Sequence, residues 1–151
     1  MEYISIEEYK SLDLSNRIIY IRLLDKLEQQ SISFNLVNPH TFLRKKESEK
    51  VLTKSEIALS DYLISEKWVK KWPGTKSGQK VYMRTFATNK LCIDYFRKIS
   101  SFFCLDDQID ISFFNNNNKC LCFTISHEGM CFAHNDIIKD LTWLSLSPLC
   151  L

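Results

Sequence analysis

Residues 109–134, IDISFFNNNNKCLCFTISHEGMCFAH, decide the fold predicted for this chain. They contain three short apolar segments, separated first by four asparagines with a lysine and then by residues 126–129. Short apolar runs bounded by turn-forming residues are typical of β-strands joined as hairpins. The stretch therefore predicts a three-stranded antiparallel meander, with strands at 109–114, 120–125 and 130–134.

Loop length decides which side chains of the meander share a face, because side chains alternate across a strand. A first loop of five residues pairs Phe114 with Cys120, and a second loop of four pairs Ile125 with Met130. A first loop of only four residues would place large apolar side chains beside polar ones on the same face. The five-residue loop is therefore favoured.

This register separates the meander into a predicted core face and a small, half-polar face. Burial of a large apolar side chain contributes about 1.5–3 kcal/mol, so the register should be strongly preferred. The predicted core face consists of Ile109, Ile111, Phe113, Leu121, Phe123, Ile125, Met130 and Phe132. The face predicted to meet solvent, or to be lightly covered, consists of Asp110, Ser112, Cys120, Cys122, Thr124, Cys131 and Ala133.

Elsewhere the apolar spacing predicts helices that alternate with short strands. A helix predicted over 53–72 begins at a capping box, Thr53 to Glu56, and ends before Pro73, which cannot continue it. The whole chain is predicted to be one α+β domain, 1–151, with helices packed on a mostly antiparallel sheet. The other predicted elements are a short helix opening at Ser5, helices at 16–30, 89–103 and 135–141, strands at 32–36 and 81–86, a polar turn at 75–78 and an apolar tail at 143–151.

Charge is unevenly distributed along the chain, although the net charge is only +2. Residues 41–90 carry twelve basic and five acidic residues, whereas the regions on either side are slightly acidic. A local basic surface can meet an acidic protein, a nucleic acid or an anionic membrane. It can equally be the solvated face of a lysine-rich element.

Hydropathy and cysteine usage indicate a cytoplasmic protein. No run of 18 apolar residues is present, so no transmembrane helix is predicted and a membrane partner is not expected. The acidic start of the chain lacks the basic and apolar stretches of a signal peptide. In the cytoplasm the six cysteines are expected to be free thiols.

The most basic stretch, Lys67-Trp-Val-Lys-Lys-Trp-Pro-Gly-Thr-Lys76, interleaves lysine with tryptophan and is followed by Lys80. Tryptophan and lysine together can stack on bases and pair with phosphates. They can also anchor a protein interface, or the tryptophans can close a helix end while the lysines stay in solvent. The residues predicted to contact a partner are Lys67, Trp68, Lys70, Lys71, Trp72 and Lys76, with His127 and Glu128 in an exposed turn.

The cysteines and histidines of the meander do not make a convincing reactive site. Cys120, Cys122 and Cys131, with His127 and His134, are ligand types that zinc prefers. However, a Cys-x-Cys pair on a flat strand holds its sulfurs about 6–7 Å apart, which is too wide for one tetrahedral ion. The zincin motif His-Glu-x-x-His, if it began at His127, would need a histidine at position 131, where this chain has cysteine. A Cys–His nucleophile is also disfavoured, because no third group would orient the imidazole. We therefore predict no catalytic residue, metal or cofactor.

A resemblance to a known family is carried by Trp72-Pro-Gly-Thr75, Arg84-Thr-Phe86 and Phe123-Thr-Ile-Ser-His-Glu-Gly129. With the richness in Asn, Lys, Ile and Phe, these segments resemble immunity proteins of bacterial polymorphic toxin systems, including contact-dependent inhibition. The resemblance spans roughly the C-terminal half. It implies a non-enzymatic protein without a cofactor that binds and neutralises a cognate toxin domain. The alternative function is a small nucleic-acid-binding or regulatory module that uses residues 67–80.

Overall fold

The computed structural model describes residues 6–42 and 52–139 and confirms the α+β class. The strands form one sheet in the order β1-β7-β6-β5-β2-β4-β3, and every neighbouring pair is antiparallel. The strands are β1 (Tyr9–Ser11), β2 (Ser33–Phe42), β3 (Leu63–Trp72), β4 (Thr75–Ala87), β5 (Asp110–Phe114), β6 (Cys120–Ile125) and β7 (Met130–His134). The helices are α1 (Arg17–Gln30), α2 (Lys54–Ala58), α3 (Lys90–Arg97) and α4 (Asn135–Ile138), and single 3₁₀ turns lie at Ile6–Glu8, Ser60–Tyr62, Phe102–Cys104, Asp106–Gln108 and Ser126–Glu128.

Local capping chemistry explains where the two longer helices begin. The Asn16 side chain accepts hydrogen bonds from the backbone N–H groups of Ile18 and Ile19, and α1 begins at Arg17, one residue after the predicted start at residue 16. The Asn89 side chain accepts from the N–H of Cys92 at 2.9 Å, so that of the two caps predicted for α3, Thr88 and Asn89, the structure has Asn89. Such caps satisfy N–H groups that have no partner within the helix. The helix α3 ends at Arg97 rather than at residue 103, and a 3₁₀ turn follows it.

The helices α1 and α3 cover one face of the sheet and bury an aromatic core there. Phe34, Phe96 and Phe113 lie within ring-centroid distances of 5.4–6.0 Å of one another. The Tyr20 hydroxyl of α1 donates to the carbonyl of Phe96 in α3 at 2.7 Å, which joins the two helices inside this core. We call this set the helix-side core; its other large members include Leu23, Leu24, Leu27, Leu36, Phe86, Ile93, Phe102 and Ile111.

The three strands of the meander are confirmed, but the predicted assignment of its faces is wrong. Phe114 pairs with Cys120 and Ile125 pairs with Met130, as expected. Between them, however, Phe113 pairs with Cys122, so that Leu121 forms a β-bulge. A bulge places one extra residue on one strand and shifts the alternation that follows it. From Cys122 onward, the side chains of β6 therefore lie on the faces opposite to those predicted.

Both faces of the meander are buried, and the bulge decides which side chains lie on each. Cys122, Cys131 and Ala133 lie in the helix-side core, whereas they were predicted on an open face. Phe123 and Phe132 lie on the other face of the sheet, stacked with ring centroids 5.2 Å apart. We call this the second face; its core near β6 consists of Tyr9, Phe114, Cys120, Phe123 and Phe132.

Residues 53–72 do not form the single helix that was predicted. The capping box between Thr53 and Glu56 is confirmed, but α2 ends at Ala58, and residues 63–72 are the strand β3. The Pro73-Gly74 pair forms a two-residue turn that joins β3 to β4, and the φ angle of Gly74 is 82°. Such a positive value suits glycine at the second central position of a turn after proline. The strand predicted at 81–86 extends over Thr75–Ala87 and includes the predicted polar turn.

The hairpin of β3 and β4, residues 63–87, is called the arm. Its base continues the sheet beside β2, and its tip crosses the second face as far as β6. The register shifts between Val69 and Lys71, and such irregularities let a strand bend. At the tip, Gly74 lies against the side chains of Phe123 and Ile125. The arm is thus both part of the sheet and a cover for its second face.

Three further predictions need correction or lie outside the described residues. The strand β2 continues through Pro39 to Phe42 instead of ending near the proline, and Ile32 precedes it with 54% of its surface exposed. The helix α4 is capped by His134, whose Nδ1 accepts from the N–H of Asp136 at 3.0 Å. Ser5, the end of the predicted helix at 140–141 and the tail at 143–151 lie outside the described residues.

We expect Gly74→Ala to destabilise the protein by about 1–3 kcal/mol, because alanine is strained at a positive φ. Its Cβ would also lie 2.5 Å from Cε2 of Phe123. Gly78→Ala is the matched control in the same hairpin, since a Cβ there meets nothing within 4 Å. It should change the free energy of unfolding by less than about 1 kcal/mol. Equal urea midpoints for the two variants would contradict the packing of the arm tip on β6.

Candidate functional site

The arm presents a cluster of positive charge. Among the residues that the structure describes, no carboxylate forms an ion pair with any of its five exposed lysines. Two of them, Lys71 and Lys76, lie directly opposite each other across the hairpin, where like charges repel. An acidic group bound beside Lys71 and Lys76 would relieve this repulsion. The exposed lysines are Lys67, Lys70, Lys71, Lys76 and Lys80.

The arginine at the base of the arm is, by contrast, buried and fully engaged. Arg84 donates from Nη1 to Glu56 of α2 and from Nε to Oε1 of Glu66, the latter at 2.9 Å. Glu56 also accepts hydrogen bonds from the N–H and the hydroxyl of Thr53 within the capping box. A buried ion pair is maintained when further hydrogen bonds satisfy its atoms. The Arg84 ion pair therefore attaches the arm to α2 and leaves the lysines as the accessible charge.

Trp68 is only partly available for contact with a partner. Its ring meets that of Tyr82 edge to face, with centroids 5.0 Å apart. The guanidinium of Arg84 lies 4.8 Å from the centroid of the same Tyr82 ring. Trp68 is half-buried in this arrangement, so part of its ring supports the arm and part faces solvent.

Trp72, which was predicted as a contact residue, is 4% exposed and serves to hold the arm in place. Its indole Nε1–H donates to Oδ2 of Asp110 on β5 at 2.8 Å. The other carboxylate oxygen of Asp110 accepts from the backbone N–H of Ser126 at 2.8 Å. Burial raises the pKa of Asp110, and these hydrogen bonds oppose the rise. Asp110 was predicted to lie on an open strand face, so its role in holding Trp72 was not predicted.

The predicted contact turn, His127-Glu128, is exposed and lies next to the tip of the arm. The side chains of His127 and Glu128 are 58% and 53% exposed, with Nε2 and Oε1 3.8 Å apart. Asp110 joins this turn to the arm, because it binds both Trp72 and Ser126. The structure thus brings the turn close to Trp72, whereas Lys67 and Trp68 lie further back along the arm.

The thiols of the meander are packing groups. Cys120 and Cys122 are buried, and the sulfurs of Cys122 and Cys131 are 3.7 Å apart in the helix-side core. Burial raises the pKa of the Cys120 thiol to about 12, which leaves little of the reactive thiolate at neutral pH. Within residues 6–42 and 52–139, no three or more His, Cys, Asp and Glu residues are placed to hold a metal ion. His134 instead caps α4.

Comparison with known proteins gives no relative from which a function could be transferred. No protein-family model, curated protein or solved structure matches this chain. Within the described residues, none of the helices has the length and apolar character needed to cross a bilayer. The candidate site is therefore defined by geometry and charge: the exposed lysines of the arm, the half-buried Trp68 and the adjacent His127-Glu128 turn.

We expect the indole N–H resonance of Trp72 to titrate with Asp110, at a midpoint above the ordinary aspartate value of 3.8. A raised native pKa means that the folded state holds the proton more tightly. The stabilising contribution of Asp110 is therefore complete below pH 3.8 and is lost as the pH rises through the native pKa. The resonance can be assigned with Trp72→Phe and followed by NMR between pH 3 and 7.

Asp136 is a control for this titration, because its pKa is shifted in the opposite direction to that of Asp110. Lys119 holds the pKa of Asp136 below its usual range, so its contribution to stability is lost as the pH falls through that lowered pKa. A midpoint for Trp72 at or below 3.8 would contradict the prediction, because it would mean that the hydrogen bonds to Asp110 outweigh its burial.

Proposed function

We propose that this chain is a non-enzymatic, immunity-type protein of the cytoplasm that binds and neutralises a cognate bacterial toxin domain. The observation that supports binding most directly is the arm, with five exposed lysines that have no acidic partner in the described part of the chain. Unpaired like charges on one hairpin disfavour the isolated protein slightly and favour a complex with an acidic surface. The partner surface is therefore expected to be acidic.

The construction of the arm suits a surface that is formed before the partner arrives. Trp72 is tied to Asp110, and Gly74 packs on Phe123, so the tip is held at two points. Arg84 attaches the base of the arm to Glu56 of α2. A preorganised surface loses less conformational entropy on binding, which favours a tight complex. Tight stoichiometric binding is what neutralisation of a toxin requires.

The segments that carry the family resemblance form this support. Trp72-Pro-Gly-Thr75 is the tip of the arm, and it packs on the strand and turn at 123–129. Arg84-Thr-Phe86 lies at the base, where Arg84 is paired and Phe86 is buried in the helix-side core. The resembling residues thus support the arm, and its five exposed lysines would make the contacts.

The proposal is tested with the protein encoded by the gene immediately upstream. If that gene encodes a large secreted protein, its C-terminal domain expressed in bacteria should stop growth, and co-expression of this chain should restore it. The triple variant Lys67→Glu/Lys70→Glu/Lys71→Glu should weaken the complex by about tenfold or more, because the introduced glutamates would repel an acidic partner surface that the lysines attract. Calorimetric titration of the purified pair measures this change.

The matched control reverses three exposed lysines away from the arm, Lys10, Lys54 and Lys139. It produces the same change in net charge and should keep the wild-type affinity. A wild-type chain that fails to restore growth would refute the immunity function. Equal affinity for the two triple variants would refute the arm as the contact surface.

Nucleic-acid binding is the second candidate, favoured by lysines that flank the partly exposed Trp68. The affinity of such a module would come mainly from phosphate contacts and would fall steeply with salt. Titration with a single-stranded and a double-stranded oligonucleotide between 50 and 300 mM salt tests it. Sequence-independent binding whose affinity falls steeply with salt, in the absence of any protein partner, would support this function over immunity. Absence of binding at the lowest salt would exclude it.

A further inference from the structure

We propose that the outer edge of β3 binds an extended, acidic segment of a partner protein by strand addition. This inference rests on the proposed function, because it assumes a protein partner, and it specifies how that partner is held. Three features of the arm support this proposal: its outer strand edge, the sign of the charge along that edge, and exposed apolar side chains beside a groove at one end.

The first feature is the edge itself. β3 is ten residues long, and within the described part of the chain its only strand partner is β4. The opposite edge strand, β1, has three residues. A long edge offers a row of backbone N–H and C=O groups that can pair with a further strand. The segment 65–69 pairs with β4 in regular register between two irregularities, which leaves a straight run for an incoming strand.

The second feature is charge, which selects among the strands that could pair there. β3 carries Lys67, Lys70 and Lys71, and its only acidic residue, Glu66, is paired with Arg84. A second copy of β3 placed along this edge would bring lysines against lysines, which is unfavourable. A strand with glutamate or aspartate would instead form cross-strand ion pairs. The same lysines therefore oppose self-association and favour an acidic partner.

The third feature is the apolar end of the strand. Leu63 and Ile64 are 39% and 60% exposed at the start of β3. The preceding Tyr62 lines a groove of about 470 Å³ with a mixed lining: Leu59, Leu91 and Tyr95 lie beside the charged Asp94, Arg97 and Lys98. In this groove, 63% of the Leu91 surface is exposed. An incoming strand is therefore expected to be apolar beside Ile64 and acidic beside Lys71. These positions are about 23 Å apart at the rise of a strand.

These features favour a protein segment over a nucleic acid. A nucleic acid has neither the peptide groups that pair with a strand edge nor the apolar side chains that would pack beside Leu63 and Ile64. It would contact the lysines alone. The aromatic face that a base would need is reduced, because Trp68 meets Tyr82 edge to face and is half-buried. Strand addition uses the edge, the charge and the groove at once.

The test uses the full chain and a capped twelve-residue peptide in which glutamate alternates with valine and one end is Ile-Leu. We expect binding at 50 mM salt, weakening at least tenfold at 500 mM, and slower amide exchange confined to β3. The strand β1 is the internal reference for exchange. The control probes are the same peptide with lysine in place of glutamate and a twelve-residue oligothymidylate, and neither should protect β3.

Charge reversal makes the test specific. Lys67→Glu/Lys70→Glu/Lys71→Glu should lose the acidic peptide and gain the lysine peptide, whereas the control triple Lys10→Glu/Lys54→Glu/Lys139→Glu should behave as wild type. Mixing the wild type with the arm variant should also give a 1:1 dimer at low salt that neither forms alone, seen by light scattering. Lack of peptide binding, binding without protection of β3, or protection by the oligothymidylate would overturn strand addition.

The two proposals fail separately. If the chain neutralises a toxin but β3 is not protected by the acidic peptide or in the toxin complex, the immunity function stands and strand addition is wrong. If the peptide protects β3 and follows the charge reversal, but the toxin is not neutralised, strand addition stands and the immunity function is wrong.

Discussion

The hydrogen bond between the indole of Trp72 and the buried carboxylate of Asp110 is the constraint on which the arm depends. It brings the end of β3 over β5, although β4 and β2 lie between these two strands in the sheet order. Val37, Val81 and Met83 are buried beside Trp72 as a result. Without this contact, the second face would expose apolar area near its centre, and burial of such area contributes about 25 cal/mol per Å².

Both faces of the meander are buried, one under the helices and the other in the core of the second face. The bulge at Leu121 places small thiols under the helices and the large rings of Phe123 and Phe132 on the second face. The bulge also leaves the carbonyl of Cys120 in the interior, where the Tyr9 hydroxyl donates to it at 2.6 Å. A buried carbonyl without a partner is costly. The short strand β1 thus extends the sheet and also provides, through Tyr9, a hydrogen-bond partner for the Cys120 carbonyl.

Charge is arranged so that the structural and the accessible groups are separate. Arg84 is buried against Glu56 and Glu66, and Arg97 bridges α3 to α1 through Asp25 and Glu28. Both arginines are engaged with carboxylates, Arg84 in the interior and Arg97 at a partly exposed position between α1 and α3. The lysines of the arm are exposed on β3 and β4, and no described carboxylate forms an ion pair with them. Binding can therefore use the lysines without disturbing the ion pairs that support the arm.

Local chemistry in the sequence determined the strands of the meander, the caps at Thr53 and Asn89 and the position of the basic stretch, because each depends on neighbours within a few residues. Tertiary structure alone decided that residues 63–72 form a strand, since that segment gains its hydrogen bonds from β4. It also decided that Trp72 is buried, because its partner, Asp110, is 38 residues away. The faces of β6 likewise depended on the bulge and on what covers each side, and alternation cannot assign faces when both are buried.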